Sequence, residues 1–290
     1  MSRILITGKT GQVGYELERS LQGLGEIIAL DRSRMDLANL DQVRDVIRRI
    51  KPTLIVNPAA YTAVDKAESE PELAMRVNAE APGVMADEAK KLGAAMIHYS
   101  TDYVFDGSKD SPYVETDPTC PINVYGSSKL AGEQAIQASG IPHLILRTSW
   151  VYSTYGKNFL LTMRRLAQER EELGIVSDQF GAPTWSRTIA DTTAHIIAQN
   201  SAVADQHGWW NEHSGLYHLT AQGKTTWFGF AEEILSHSSI AKKPQLKAIL
   251  TQDYPVPARR PANSTLSCQL LINTFCNLPQ WQTALRLCQD

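Results

Sequence analysis

Three glycines spaced three apart, in Gly8-Lys9-Thr10-Gly11-Gln12-Val13-Gly14, stand directly after the apolar run 4–6 and before a segment in which Val13, Leu17, Leu21 and Leu24 share one helical face. A strand must therefore turn sharply into a helix at a place with no side chains to hold other groups away. The glycines permit the tight turn, let the backbone approach a pyrophosphate, and leave the first helical amides facing negative charge. The loop is not a Walker loop, because Lys9 follows the first glycine and no Gly-Lys-Ser/Thr closes it. An ordinary glycine turn is the competing reading, and the flanking strand and helix favour a dinucleotide site over it.

The same rhythm continues down the chain. Runs 27–30, 54–56, 95–99 and 144–146 are short and β-rich; Val43, Val46, Ile47 and Ile50 before Pro52 repeat the helical pattern, as does 72–92 despite Pro82. Such alternation predicts an α/β fold, a doubly wound parallel sheet covered by helices on both faces. Beyond residue 150 the pattern loosens into helices over 158–173, 188–199 and 227–235, strands at 175–176 and 216–219, and polar loops at 181–185 and 255–264. We expect a dinucleotide-binding domain over 1–150. Residues 151–290 should form a smaller mixed α/β portion, mainly substrate-binding, with some segments returning to the core.

Composition narrows the function. With 43% hydrophobic and 20% charged residues the chain is neither disordered nor fibrous. Its net charge is −3 and its 28 basic residues are dispersed, so no tract can neutralise a run of phosphates and no nucleic-acid partner is expected. No stretch approaches the roughly 18 apolar residues of a membrane span, and the run after Met1-Ser2-Arg3 is too short for a secretory signal. Cys120, Cys268, Cys276 and Cys288 lack zinc-site spacing and are too few for a disulfide framework. His213 and His218 flank a loop entering a strand. A cytoplasmic protein with free thiols, no membrane association and no metal is the expectation.

Asp31 closes the second strand about 20 residues past the loop, where a carboxylate can accept hydrogen bonds from an adenosine ribose and favours NADH. Arg32 and Arg34 follow at once and can pair with a 2′-phosphate, so NADPH and NADH both stay open. Asp36-Leu37 would lie beside the adenine, unless Asp36 simply caps a helix. Tyr125-Gly126-Ser127-Ser128-Lys129 sets a phenol and an ammonium on one helical face, where the ammonium can lower the phenol's pKa. Such a pair arises easily by chance. Its position after Ser100-Thr101-Asp102-Tyr103 gives it weight, because open α/β sheets bind ligands at the carboxyl ends of their strands. A carbonyl oxygen becomes basic as hydride reaches its carbon. Tyr125 is the candidate acid, Lys129 tunes it and can hold the nicotinamide ribose, and Thr101 orients the oxygen. Thr101 and Asp102 can also serve as turn stabilisers.

The glycine loop, Ala59-Ala60-Tyr61-Thr62-Ala63-Val64-Asp65-Lys66-Ala67-Glu68, Ser100-Thr101-Asp102-Tyr103-Val104-Phe105, Tyr125 to Lys129, and Arg147-Thr148-Ser149-Trp150-Val151-Tyr152 together resemble the extended short-chain dehydrogenase/reductase family. More narrowly they resemble its dTDP-4-dehydrorhamnose reductase branch. The likeness continues through Asn158-Phe159, Ser177-Asp178-Gln179-Phe180-Gly181-Ala182-Pro183-Thr184 and Arg260-Pro261-Ala262-Asn263-Ser264, nearly the whole chain. It implies a Rossmann fold and reduction of the 4-keto group of dTDP-4-dehydro-L-rhamnose by NADPH or NADH, giving dTDP-L-rhamnose for carbohydrate biosynthesis. By position it implies that Gly11, Gln12, Val13, Asp31, Asp36, Leu37, Ala60, Tyr61 and Thr62 line the dinucleotide, alongside Gly8, Gly14 and Arg32 read above. Thr101, Asp102 and Trp150 would touch the sugar, and Tyr125 and Lys129 would serve both ligands. For Trp150 an indole at a strand end offers a deoxysugar a flat apolar face, a core tryptophan being the alternative.

Two departures from the family pattern stand out. Pro58 replaces a small alanine before Ala59-Ala60. Some relatives dimerise through magnesium held by glutamates, but Ser186-Arg187-Thr188 and Leu285-Arg286-Leu287-Cys288-Gln289-Asp290 supply none, so no magnesium bridge is expected and monomer or homodimer stays open. Lys157, Arg259 and Arg260 are candidates for the substrate diphosphate. Phe180 and Trp185 can stack on thymine or anchor their loop. Two other readings are a nucleotide-sugar epimerase or dehydratase that returns its hydride, and a noncatalytic NADP-binding regulatory subunit. The absence of an acid pair after Thr101 weakens a dehydratase, and retention of tyrosine, lysine and threonine together weakens the subunit.

Overall fold

The computed structural model describes residues 2–237 and 243–289. The first half runs β1 (Arg3–Ile6), α1 (Gln12–Ser20), β2 (Glu26–Ala29), α2 (Leu40–Ile50), β3 (Leu54–Asn57), α3 (Val64–Ala67), α4 (Pro71–Met75), α5 (Ala81–Leu92), β4 (Ala95–Thr101), α6 (Val124–Ser139) and β5 (His143–Thr148). The second half runs β6 (Val151–Tyr152), α7 (Phe159–Glu169), β7 (Glu172–Val176), β8 (Phe180–Gly181), β9 (Thr184–Trp185), α8 (Ser186–Ser201), α9 (Gln206–Glu212) and β10 (Gly215–His218). It ends with β11 (Thr225–Thr226), α10 (Trp227–Ser236), β12 (Gln245–Ile249), α11 (Gln269–Thr274) and α12 (Trp281–Gln289).

Six strands form one parallel sheet in the order β10-β5-β4-β3-β1-β2. Its central strands are apolar on both faces, and the period of two decides which residue meets which helix layer. Ile4, Ile6, Ile97, Leu144 and Leu146 pack with Leu17 of α1, Leu21 at its C-cap, and Ile189 and Ile196 of α8. Leu5, Met96 and Ile145 point the other way, onto Val43 and Ile47 of α2, Met85 and Ala89 of α5, and Ile136 of α6. Both α8 and β10 thus come from beyond residue 150 and complete the core layer. A third apolar cluster, built on Tyr152, Leu160, Met163, Phe230, Ile234 and Leu285, holds the remaining C-terminal elements together.

Two expectations change on contact with the structure. The helix expected over 158–173 ends at Glu169, where Arg170 is extended, and Leu173 belongs to β7. That strand pairs in parallel with β12, a partner with no local sequence signal. The helix expected over 72–92 is continuous in direction but carries a π-helical turn at Arg76–Glu80. Pro82 has no N–H to give the Asn78 carbonyl, so the ladder must skip there. That carbonyl faces α6 instead, where a Cβ on Gly132 would overlap it, so only glycine lets the helices approach this closely.

Candidate active site

The carboxyl ends of the central strands open onto a cleft of about 620 Å³, within the usual range for a small-molecule site. Gly8, Gly11, Gln12, Val13 and Gly14 line it, with Arg32, Asp36 and Leu37, then Ala60, Tyr61 and Thr62, and finally Tyr125, Lys129 and Lys157. Gly8 has φ +57, and the loop closes through Gly11 N–H to Gly8 O at 2.9 Å. A Cβ on Gly14 would overlap the Gly8 carbonyl oxygen, so the first turn of α1 is pressed onto the loop as close backbone approach requires. This cradle fits a dinucleotide pyrophosphate. We expect Gly14→Ala to weaken dinucleotide binding by about tenfold or more, or ~1.4 kcal/mol, in a fluorescence titration; an unchanged affinity would contradict the close-approach argument.

The segment over the other side of the cleft is clamped by the π-helical turn. Asn78 accepts the Tyr61 N–H at 2.8 Å and donates to Tyr61 O at 3.0 Å, and its amide also reaches Ser128 Oγ at 3.0 Å. Tyr61 OH donates to Glu70 at 2.7 Å, and Glu70 pairs with Lys66 at the rim. On the C-terminal side, Asn158 caps α7 and donates to Gln12 Oε1 at 2.9 Å, tying the glycine loop to the second half.

Asp31 is not on the cleft wall. Its Oδ1 accepts from Ser33 N, Ser33 Oγ and Arg34 N, so the carboxylate shapes the turn after β2 and is held below its ordinary pKa chiefly by the Ser33 hydroxyl. All three of these bonds fall on Oδ1, which leaves Oδ2 as an acceptor for the ribose contact expected of this residue. Arg32 does line the cleft, its exposed guanidinium 3.4 Å from Asp36. Asp36 forms its own turn with Ala38 N–H, while Asn39 is the true cap of α2. The expected result of Arg32→Ala is a loss of about tenfold in NADPH affinity with NADH affinity unchanged, since a 2′-phosphate would lose a charge-assisted partner; equal loss for both would place Arg32 elsewhere on the ligand.

Tyr125 sits one residue into α6, whose N-cap Asn123 accepts the Gly126 N–H at 2.7 Å. Gly126 has no side chain because a Cβ there would strike the Tyr103 carbonyl oxygen. The helix start is thereby pressed against the turn Asp102–Val104, and the Tyr103 ring meets Tyr125 edge-on at 5.8 Å. Burial pushes the Tyr125 phenol up to about 12, opposed by a hydrogen bond with Thr101 and assisted by the Asp102 charge. This reverses the downward shift expected from the lysine. The Lys129 ammonium points to the strand, donating to Tyr99 O at 2.6 Å with His98 Nε2 at 3.1 Å. Burial lowers Lys129 to about 8, Glu133 partly offsetting it.

Thr101 and Asp102 are buried just beneath, outside the cleft wall. The Thr101 hydroxyl donates to Asp102 Oδ1 at 3.0 Å and accepts the Tyr103 N–H at 3.2 Å. Desolvation raises the Asp102 carboxyl to about 7, more than the Ser264 and Thr101 hydroxyls lower it. Trp150 is also off the cleft wall. It has φ +47, uncommon for a bulky residue, and one indole face stacks on Trp227 at 3.6 Å while Gly181 leaves room for the Nε1–Cε2–Cζ2 edge of the indole. That face is closed to a sugar. Arg260 departs furthest from expectation: its guanidinium grips Asp65 at 2.5 and 2.8 Å and donates to Ala258 O, tying the 255–264 loop to α3 rather than presenting charge to a diphosphate. Arg259 is exposed, and Phe180 carries the Lys224 ammonium over its ring at 5.5 Å.

Several wall or support residues went unread in the sequence. Thr10, Met35 and Thr148 line the cleft. Beneath it Arg147 and Glu133 form a buried bidentate pair, and the Ser100 hydroxyl donates to the same carboxylate. Polar residues within or at the carboxyl ends of otherwise apolar central strands, namely Asn57, His98, Ser100 and Arg147, were the available signal. Among the described residues, no group of three His, Cys, Asp or Glu side chains could hold a metal, and no helix is long and apolar enough to cross a membrane. Arg187 pairs with Glu16 at 3.7 Å.

An all-parallel sheet in this order, with a glycine turn after its first strand and a tyrosine and lysine at its carboxyl edge, defines a Rossmann-like dinucleotide-binding fold. The family described as RmlD substrate binding domain matches residues 1–290. A dTDP-4-dehydrorhamnose reductase of Burkholderia thailandensis is 50% identical over 99% of this chain and 97% of its own length. One from Escherichia coli K12 is 49% identical over 98% and 95% respectively. A crystal structure of dTDP-4-dehydrorhamnose reductase from Bacillus anthracis in complex with NADP superposes with a TM-score of 0.91 at 35% identity, covering 100% of this chain and 99% of the other. The chain belongs to the dTDP-4-dehydrorhamnose reductase family.

Proposed function

We propose that this chain reduces the 4-keto group of dTDP-4-dehydro-L-rhamnose to give dTDP-L-rhamnose, using NADPH or NADH. The observation that carries the reading is the placement of Tyr125 and Lys129 on the wall of the glycine-turned cleft. A reduced nicotinamide, when bound there, supplies the hydride. Tyr125 stays protonated at neutral pH because its phenol is raised to about 12, and it gives its proton to the far more basic alkoxide oxygen. The Thr101 hydroxyl, which gives its proton to Asp102 in this structure, would turn to donate it to the same oxygen. Lys129 holds the nicotinamide ribose from the opposite side, and Lys157 on the cleft rim is the cation for a diphosphate. In this reading residues 1–150 bind the dinucleotide, 151–290 mainly bind the sugar nucleotide, and the protein works in the cytoplasm as a monomer or homodimer. The test is to follow NAD(P)H absorbance with dTDP-4-dehydrorhamnose against other keto-sugar nucleotides. One cofactor should be oxidised per sugar reduced, fastest with the dTDP sugar; conversion of sugar with no net cofactor oxidation would indicate an epimerase and overturn the assignment.

A further inference from the structure

Four side chains, each almost wholly buried, form an unbroken polar chain across the sheet from the glycine loop to Lys129. Thr7 Oγ1 lies 2.6 Å from Asn57 Oδ1, Asn57 Nδ2 lies 3.0 Å from His98 Nδ1, and His98 Nε2 lies 3.1 Å from Lys129 Nζ. The chain starts at the residue before Gly8, and Thr7 Oγ1 also takes the N–H of Ala59, against which Gly8 packs. None of Thr7, Asn57 and His98 lines the cleft. We propose that His98 is a positioning residue for the reduction, holding the Lys129 amine by Nε2 and coupling its protonation state through Asn57 to Thr7 beneath the glycine loop. The proposal rests on the reaction assigned above.

The coupling follows from counting protons. Burial holds His98 neutral, far below its ordinary pKa, so its ring carries one N–H. When Asn57 donates to Nδ1, that proton is on Nε2 and must be given to Lys129, which accepts only as a neutral amine. When Lys129 is an ammonium it donates to Nε2, the ring proton moves to Nδ1, and Asn57 must turn its oxygen toward the ring and its NH₂ toward Thr7. Each charge state of Lys129 therefore has its own self-consistent wiring, and an amide and an imidazole tautomer change together. The lysine donates to Tyr99 O in both. The ionisable groups around it are Tyr125 one turn earlier on α6, Glu133 one turn later, Arg147 of β5 paired with Glu133, and Asp102 after β4, whose charge acts on Tyr125.

The experiment has a spectroscopic and a kinetic arm. In protein labelled with ¹⁵N-histidine, His98, assigned by loss of its signals in His98→Asn, should remain neutral and shift its tautomer from Nδ1–H to Nε2–H as pH rises through about 8. Lys129→Met should abolish that change. A tautomer constant with pH overturns the coupling. In the kinetic arm His98→Leu should lower kcat on the order of 10- to 100-fold, as loss of positioning does, with the sugar-nucleotide KM within about twofold. It should also displace the alkaline limb of the pH profile, and His98→Gln should recover part of both. Unaltered kcat and pH profile in His98→Leu overturn the positioning role. If His98→Leu does not fold, the tautomer titration of the unaltered protein decides alone. Absence of keto-sugar reduction by the unaltered protein would sink the assigned reaction while leaving the tautomer change to stand.

Discussion

Tyr125→Phe should lower kcat for keto-sugar reduction by a factor on the order of 10² to 10⁴, the usual contribution of a positioned general acid. Dinucleotide affinity should stay within a few-fold, because the ring and the helix start that Gly126 presses onto Tyr103 are unchanged. The phenol is raised by burial, so the loss cannot be compensated by raising pH: only the proton donor is missing. The pH profile separates the two partners. Lys129, lowered to about 8, is charged below that value and neutral above it, so activity that needs the ammonium falls as pH rises through about 8. Tyr125, at about 12, remains protonated across the same window and adds no limb of its own. A rate for Tyr125→Phe within threefold of the unaltered protein would remove the tyrosine from the chemistry.

Glu133→Ala should be the costliest substitution for stability. Glu133 and Arg147 are both nearly inaccessible, bonded at 2.9 and 2.7 Å, and the same carboxylate accepts from Ser100 at the edge of the cleft. Removing the carboxylate leaves a guanidinium buried without its counter-charge, which costs about 3–5 kcal/mol. In a chain of this size that is a fall in Tm on the order of 10 °C. The pair's net worth is a separate matter, since its attraction largely repays its own desolvation. The double variant Glu133→Leu with Arg147→Met should therefore regain most of the lost stability. It should not regain full activity, because Ser100 loses its acceptor and Lys129 loses the carboxylate that opposes its desolvation. Calorimetry checks the first statement and steady-state kinetics the second. A single variant as stable as the parent would show that Arg147 finds another partner.

How much of this was legible in the sequence depended on whether the signal was local. The strand, glycine turn and helix from Arg3 to Ser20 are written in consecutive residues, and period-two burial of Ile4, Leu5 and Ile6 follows from the run itself. The residues of the glycine-loop wall of the cleft were readable for the same reason, because Gly8 to Gly14, Ala60 to Thr62 and Tyr125 to Lys129 are each short contiguous motifs. Where a residue's role depended on a partner far along the chain, reading residue types failed. Arg260 looked like a diphosphate ligand until Asp65, 195 positions away, claimed both arms of its guanidinium. Trp150 was read from its strand end alone, and the Trp227 ring that takes one of its two faces had no local signal. Asp31 has a second task that residue type did not announce: its Oδ1 anchors the turn through Ser33 and Arg34, while Oδ2 is left as an acceptor. The π-helical turn at Arg76–Glu80 has a local cause in Pro82, yet its use, Asn78 clamping Tyr61, appears only once the chain is folded.

Hydride delivery with protonation by Tyr125 is most directly tested by isotope transfer. The protein is given dTDP-4-dehydrorhamnose and NADPH stereospecifically deuterated at C4 of the nicotinamide, and the sugar product is examined by mass spectrometry and NMR. The expected result is one deuterium at C4 of the sugar per cofactor oxidised from one of the two labelled cofactors and none from the other, with Tyr125→Phe forming the same labelled product at the lowered rate. Product with no deuterium from either labelled cofactor would contradict it.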